Sequence, residues 1–241
     1  MDQLWLAIVQ WLHTVGLHVD AGAARSVAEG AARATAQLDM PGLLALAAAL
    51  GWASGFRLYA VVFLVGGMGA ACWLALPPGL QVLQHPAVLA ASGFMLLVEF
   101  FADKVPWLDS AWDALHTVIR VPAGALLAAG VFGADNATLA VAAGLLGGSL
   151  SATALATKMT TRAAVNTSPE PFSNWGLSFF EDGLVVAVVW LATQHPVAFG
   201  VALVVMVAVS VLLLVVLFKF LRAVVRKLTG SPGVRVPGAR P

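Results

Sequence analysis

The stretch "PVAFGVALVVMVAVSVLLLVVLFKFL" covers residues 196–221 of a 241-residue chain and contains a single charged residue, Lys219, near its end. About 20 consecutive apolar residues are enough to cross a bilayer as an α-helix. The stretch therefore predicts a membrane-spanning helix and places the rest of the chain beside lipid.

The composition of the whole chain supports this prediction. The chain is 60% hydrophobic and 10% charged, with a mean hydropathy of +0.90. A soluble domain carries about 25% charged residues, so this chain has too few charges to cover a surface that faces water. The composition therefore implies the lipid bilayer as partner, and the net charge of +1 gives no reason to expect nucleic acid.

Further apolar segments precede this stretch, and Asp39 and Pro41 have the residue types that begin a helix. We expect an all-α, polytopic membrane protein whose transmembrane domain covers residues 41–225. About six hydrophobic helical segments are predicted: 42–70, 86–102, 110–132, 137–157, 174–193 and 196–221. One or two of these should be broken or re-entrant, and the half-polar segment with Pro122 is the main candidate.

The two ends of the chain differ from this domain. Leu4, Ile8 and Trp11 recur at helical spacing, so residues 1–40 predict an amphipathic helix that lies in the membrane interface. Residues 226–241 are basic and predict a disordered cytoplasmic tail.

The positions of lysine and arginine predict the orientation. The first, third and fifth loops of the six-span scheme contain neither residue type. The cations fall in the second and fourth loops and around the end of the last span: Lys104, Lys158, Arg162, Lys219, Arg222, Arg226, Lys227, Arg235 and Arg240. Because cytoplasmic loops carry an excess of Lys and Arg, both termini are expected on the cytoplasmic side of a bacterial inner membrane.

Several polar side chains lie in or beside the apolar segments. A charge at the bilayer centre costs about 2.5–3.5 kcal/mol even on the lenient insertion scale, so such residues predict a functional site. The candidates for binding a solute or ion are Arg57, Glu99, Asp103, Asp113, His116, Arg120, Lys158, Arg162, Asn166, Glu181 and Asp182. The alternative is a structural lock in which Glu99 and Glu181 neutralise Arg57 and Arg120.

Metal chemistry is a weaker prediction. Asp109 and Asp113 present two oxygen ligands on one helix face, as a Mg²⁺-dependent lipid-modifying enzyme would need. The sequence has no second aspartate-rich motif and no zinc, nucleophile or phosphate-loop motif. We therefore expect no cofactor and do not favour an enzyme.

The stretch "TKMTTRAAVNTSPEPFSNWGLSFFED" (157–182) is unusually polar. Lys158 and Arg162 are expected to continue the fourth helix and to anchor its end at the membrane edge. The prolines that follow should interrupt the helix until Ser173 or Asn174 caps the fifth segment.

Two pairs of segments indicate a weak internal repeat. "LALAAALGWASG" (44–55) is similar to "LAVAAGLLGGSLS" (139–151), and "FFADK" (100–104) is similar to "FFEDG" (179–183). Two halves of three spans each would have opposite orientations, which is the inverted-repeat plan of many transporters.

Three segments carry a resemblance to a known family. "SGFRLY" (54–59), "EFFADKVPWLDSAWDALHTVIRVPAGALLA" (99–128) and "ATKMTTRAAVNTSPEPFSNWGLSFFED" (156–182) resemble the bacterial membrane family catalogued as domain of unknown function 4126. The resemblance covers residues 42–225 and implies a polytopic helical inner-membrane protein, but it implies no reaction. Besides the candidate residues above, it includes Lys104, Asp109, Trp112, Glu170 and Asn174.

We therefore expect a transporter or channel for a small solute or ion. In this hypothesis the carboxylates bind a cation or proton, the arginines balance charge, and His116 has the side chain that titrates near neutral pH. A Mg²⁺-dependent lipid-modifying enzyme and a non-catalytic assembly or scaffold protein stay open, as does a homo-oligomer.

Overall fold

The computed structural model describes residues 38–133, 136–166 and 171–228. This part is all-α and contains no strand, which confirms the predicted fold class. A 3₁₀ helix, η1, covers Pro78–Gln84. The α-helices are α1 (Met40–Ala70), α2 (Pro86–Ala102), α3 (Pro106–Phe132), α4 (Ala137–Val165), α5 (Pro171–Gln194) and α6 (Pro196–Leu228). The interfacial helix predicted in residues 1–40 and most of the basic tail lie outside the described residues.

Four helices of the described part, α1, α4, α5 and α6, are long and apolar enough to cross a membrane. The pair η1 and α2, bent by 68°, would make a fifth. The prediction of about six spans is therefore too high. α3 is not among these helices and accounts for the difference.

α1 is not one straight rod. Asp39 caps it as predicted, accepting a hydrogen bond from the Gly42 amide at 2.9 Å, but Arg57 has the non-helical angles φ −144° and ψ 79° and divides it into two arms. Residues 43 and 69 would be about 39 Å apart in a straight helix. Instead, Leu76 packs against Gly69 and also lines a cavity of about 470 Å³ with Leu43. α1 therefore turns back at Arg57, and its two ends lie at the same end of the bundle.

The break was expected elsewhere, at Pro122, and that expectation is wrong. α3 continues through Pro122, which removes one backbone donor from the helix. The Ser151 hydroxyl of α4 donates to the Arg120 carbonyl at 3.0 Å, so a neighbouring helix supplies a hydrogen bond to the backbone beside the proline.

The fifth helix also begins earlier than predicted. α5 includes Ser173 and Asn174 and starts at Pro171, so neither residue caps it. Proline is well suited to the first turn of a helix, where its missing amide hydrogen would have no helical partner.

Small residues bring α1, α3 and α4 together. A Cβ atom on Gly51 would collide with the Gly147 backbone, and one on Gly55 would collide with the Ser151 carbonyl. Small residues four apart on facing helices allow such close approach in membranes. The resulting contact aligns the second half of α4 with the break in α1, where the charged side chains meet.

Candidate functional site: a buried charge cluster

The break in α1 places Arg57 inside the bundle, where its side chain is fully buried. The guanidinium lies 2.5 Å from Asp103 Oδ2 and 3.1 Å from Asp182 Oδ1, and it donates to the Ser178 hydroxyl at 2.8 Å. Arg57 therefore ties the α1 break to the end of α2 and to α5.

The break also leaves backbone carbonyls without their helical partners. Lys158 Nζ donates to one of them, the Phe56 carbonyl, at 3.3 Å. The carbonyl end of a helix carries a partial negative charge, so a cation stabilises it. Lys158 from α4 thus acts as a cap on the first arm of α1.

Lys158 is shared among several acids. Its Nζ lies 3.2 Å from Asp113, 3.7 Å from Glu181, and 3.8 Å from both Glu99 and Asp103. The distances are similar, so no single carboxylate is the partner of this ammonium. Lys158 is the residue that connects α2, α3 and α5 electrostatically.

Arg120 forms close contacts with two acids. One guanidinium nitrogen lies 2.5 Å from Glu99 Oε1, and another lies 2.6 Å from Asp113 Oδ1. Hydrogen bonds between a guanidinium and a carboxylate are charge-assisted and are the strong ones in proteins. The contact between Arg120 and Glu99 confirms one ion pair of the predicted structural lock. The other arginine, Arg57, lies closer to Asp103 and Asp182 than to Glu181, which is 3.7 Å away.

Arg162 closes the cluster from the other side. Its Nη2 donates to Glu181 at 2.8 Å, and its Nη1 donates to the Asp103 carbonyl at 3.0 Å. The prediction that Lys158 and Arg162 are membrane-edge anchors is therefore wrong. Both side chains are buried because the face of α4 that carries them points into the bundle.

The described part of the cluster contains more acids than bases. The cations are Arg57, Arg120, Lys158 and Arg162, and the carboxylates are Glu99, Asp103, Asp113, Glu181 and Asp182. One negative charge is left in excess among these nine groups when all are ionised, and Lys104, which interacts electrostatically with Asp103 and Asp182, adds a cation beside them. Asp182 is the most accessible carboxylate, with 29% of its side chain exposed against 2% or less for the other four.

Two carboxylate oxygens of the cluster, Glu99 Oε2 and Asp113 Oδ2, are buried without a hydrogen-bond partner among the described groups. Such a group costs about 1–3 kcal/mol unless something satisfies it, so these oxygens have unused capacity to bind a proton or a ligand. The described residues contain no group of three or more His, Cys, Asp or Glu side chains placed to hold a metal. The side chain of Asp109 lies outside the described part, so the magnesium pair stays a prediction.

His116 and Asn166 lie beside the cluster. His116 stacks on Trp112, and its Nε2 lies 3.1 Å from the Tyr59 hydroxyl. Asn166 accepts a hydrogen bond from Asn174 at 2.8 Å and so joins the end of α4 to the start of α5.

Sequence reasoning missed two polar partners, Tyr59 and Ser178. Ser178 lies three residues before Glu181, one helical turn away on the same face, and this spacing could have indicated it. Tyr59 is the only tyrosine of the chain and follows Arg57 by two residues, a spacing that points to different helix faces. That rule holds only within a regular helix, so it does not apply across the break at Arg57.

The comparisons with known proteins agree with the resemblance in the sequence. The family model described as "Domain of unknown function (DUF4126)" matches residues 44–216, which include all nine charged residues of the cluster. No curated protein matches the chain, and no solved structure matches it. The match covers well over half of the chain, so this protein belongs to the DUF4126 family.

Proposed function

We propose that this protein is a transporter or channel that moves a small solute or ion across the bacterial inner membrane through its buried charge cluster. The observation that carries the proposal is the meeting of nine charged side chains from α1–α5 at a broken helix inside apolar helices. Charged residues within membrane segments are costly and mark substrate and ion pathways.

The broken helix supports this function. Helices interrupted at membrane depth place carbonyl ends and charged groups at the binding sites of many transporters. Here the interruption at Arg57 lies beside the Phe56 carbonyl, Lys158 and three acidic side chains. A ligand could bind to these groups and leave them without breaking the hydrogen bonds of a regular helix.

The way in which the charges are shared also supports it. Lys158 has four carboxylates between 3.2 and 3.8 Å, and the cluster has one carboxylate in excess. A cation or proton can neutralise the excess charge, and Lys158 can change partners at little cost when it does so. The carboxylates are thus the expected binding groups, and the arginines hold them in place.

A structural lock in a non-catalytic membrane scaffold is the second candidate. It is favoured by Arg57–Asp103 and Arg120–Glu99, two ion pairs at 2.5 Å whose side chains are fully buried. A scaffold needs the pairs only for stability, whereas a transporter also needs the excess carboxylate for binding. No comparable observation favours the lipid-modifying enzyme, since Asp113 Oδ1 is already bound by Arg120 and Lys158.

Flux measurements in proteoliposomes distinguish the two candidates. Proton, Na⁺, K⁺ and Cl⁻ fluxes are recorded under an imposed potential for wild type, for Glu99→Gln with Glu181→Gln, and for Asp39→Asn. Asp39 is an exposed acid outside the cluster, and asparagine keeps its capping role, so it serves as the matched control. We expect flux above that of empty liposomes in wild type and the control, and a loss of about tenfold or more in the double variant. Equal flux in a folded double variant would contradict the proposal.

A further inference from the structure

His116 of α3 and Tyr59 of α1 form a hydrogen-bonded pair beside the charge cluster. The His116 ring has its Nδ1 atom 2.8 Å from the Trp112 carbonyl and its Nε2 atom 3.1 Å from the Tyr59 hydroxyl. A carbonyl oxygen only accepts hydrogen bonds, so Nδ1 carries the hydrogen of the neutral ring and Nε2 is left as an acceptor. The Tyr59 hydroxyl therefore donates to His116, and the Trp112 carbonyl fixes this direction.

The Tyr59 hydroxyl is also close to the strongest ion pair of α3. Tyr59 interacts electrostatically with Glu99 and Arg120. Arg120 follows His116 by one helical turn, and its guanidinium lies 2.5 Å from Glu99 Oε1. Asp113 precedes His116 by about one turn and binds the same guanidinium at 2.6 Å. The hydroxyl thus connects a buried histidine to a buried carboxylate of the cluster.

Glu99 has one oxygen that is ready to take a hydrogen. Its side chain is fully buried, and its Oε2 atom has no hydrogen-bond partner among the described groups. Leaving such an atom unsatisfied is costly. A hydrogen bound to Oε2 can be donated to the Tyr59 oxygen, because the hydrogen of that hydroxyl is already directed at His116. The protonated carboxyl group would therefore extend the existing pair into one continuous chain of hydrogen bonds.

The surroundings of Glu99 suit a proton better than a metal cation. Arg120 and Lys158 lie 2.5 Å and 3.8 Å from Oε1, so a metal ion would have two fixed cations beside it. A metal ion also needs several oxygen ligands, and the described residues contain no group of three or more His, Cys, Asp or Glu side chains placed to hold one. A proton binds to a single oxygen and needs no ligand shell.

Charges of both signs face Glu99, so neither of its protonation states is favoured by all of its neighbours. Arg57, Arg120 and Lys158 favour the ionised form, whereas burial and Asp103 favour the protonated form. Two further acids share Lys158 with Glu99: Asp113 of α3 and Glu181 of α5. Lys158 can turn towards these acids when Glu99 becomes neutral.

We propose that the ion is a proton, which passes between His116 and Glu99 through the Tyr59 hydroxyl. Protonated His116 gives its Nε2 hydrogen to the Tyr59 oxygen, and the hydroxyl gives its own hydrogen to Glu99 Oε2, directly or through one water molecule. His116 and Tyr59 are then neutral, and Glu99 is a neutral carboxylic acid. Histidines and acids form the proton relays of many membrane proteins. The inference deepens the proposed function and rests on it only for the net movement of protons across the membrane.

Infrared difference spectroscopy on the full chain in phosphatidylcholine nanodiscs tests the proton site without transport. The signal is the C=O stretch of a protonated carboxyl group, followed as the pH is lowered over the range in which the protein stays folded. We expect a band that Glu99→Gln lacks and that Asp39→Asn keeps, since Asp39 lies outside the cluster. A folded Glu99→Gln variant that keeps every carboxyl band of wild type would overturn the proposal.

Proton flux in proteoliposomes under an imposed potential tests the path and does not depend on the folding of Glu99→Gln. Tyr59→Phe removes only the hydroxyl, and His116→Gln removes the titrating ring. Each should lower proton flux by about tenfold or more while the Glu99 band stays, which a merely structural role would not produce. His195→Gln makes the same change at an exposed histidine between α5 and α6 and should keep full flux.

The outcomes separate this inference from the function on which it rests. Full proton flux in Tyr59→Phe would overturn the proposed path. Flux of Na⁺, K⁺ or Cl⁻ in wild type without proton flux would overturn the assignment of the proton and leave transport intact. A Glu99 band without flux of any ion would support the proton site and contradict the transport function alone.

Discussion

Arg57 and Asp103 form an ion pair of 2.5 Å between Nη1 and Oδ2, and both side chains are fully buried. The pair joins the break of α1 to the residue that caps α2. Removing one partner from a buried pair costs about 3–5 kcal/mol, because the other charge is left without compensation.

Arg57→Leu should therefore destabilise the protein strongly, and adding Asp103→Leu should recover part of the loss. The single variant leaves the cluster with two excess negative charges, whereas the double variant keeps the original balance. The unfolding midpoint in detergent is measured for both single variants, the double variant and wild type. Lys219→Leu, which removes an exposed cation from α6, is the control and should cost little. If the unfolding midpoint of the double variant falls by as much as those of the two single variants together, the two residues are not coupled.

The contact between Gly51 and Gly147 should not tolerate a side chain. Gly51→Ala places a Cβ atom on the Gly147 backbone, so α1 and α4 must move apart and the contacts along their interface weaken. We expect a loss of about 1–3 kcal/mol, as for other overpacked sites. Gly200→Ala in α6 is the matched control, because no atom lies within 4 Å of its Cβ position. Equal midpoints for the two variants in thermal unfolding would contradict the close approach.

Cys72→Gly should stabilise the protein. Cys72 follows the last turn of α1 with φ 59°, and Trp73 and Cys72 donate to the carbonyls of Met68 and Gly69. This is the hydrogen-bond pattern of a helix end that usually has glycine at the left-handed position. Relief of the backbone strain should exceed the entropy cost of glycine by up to about 1 kcal/mol. A lower thermal midpoint for the variant would refute this account of the turn.

The fold-back of α1 changes the expected topology. Leu38 lies at the same end of the bundle as Trp73, because both ends of α1 meet there. If α3 crosses the membrane as well, α2–α6 make five crossings and Arg222 lies on the opposite face, so the two ends of the described chain should not share the cytoplasmic side. Leu38→Cys, Trp73→Cys and Arg222→Cys, each in a Cys72→Gly background, are labelled with an impermeant thiol reagent on intact cells. Leu38→Cys should label like Trp73→Cys and unlike Arg222→Cys. Labelling of Leu38→Cys like Arg222→Cys would support the prediction that both termini share one side.

Much of the fold could be predicted from local sequence. The α2 bounds 86–102 and the Asp39 cap follow from hydropathy and residue type, and the structure has both. The membrane class follows from composition, because so few charges cannot cover a surface in water. These are properties that each segment has independently of its neighbours.

The break at Arg57 could not be predicted in this way. No proline or glycine occupies position 57, and the non-helical backbone is compensated by groups from other helices, with Lys158 on the Phe56 carbonyl and Asp103 and Ser178 on the guanidinium. Pro122 is the converse case, since α3 stays helical there although the sequence favours a break. At Arg57, tertiary contacts override the local preference.

The sequence predicts which residues belong to the charge cluster, but it does not predict how they are arranged. The free-energy cost of a charge in lipid identifies Arg57, Glu99 and Glu181 as candidates. It does not predict how deep Lys158 and Arg162 lie or which way α4 turns their side chains. Those two side chains are buried because close packing at Gly51 and Gly147 sets the rotation of α4 against α1. Such packing depends on both helices and cannot be obtained from either segment alone.

The central claim is that the buried charges bind a ligand in addition to stabilising the fold. Its most direct test is the melting temperature of the purified protein, wild type and Glu99→Gln, against a panel of pH values, inorganic ions and small metabolites. A ligand of the folded state stabilises it by about 2.7 kcal/mol at a hundred times its dissociation constant. We predict a condition that raises the midpoint of wild type and leaves that of Glu99→Gln unchanged. No shift under any condition, together with a variant that melts far earlier, would show that the charges only hold the fold together.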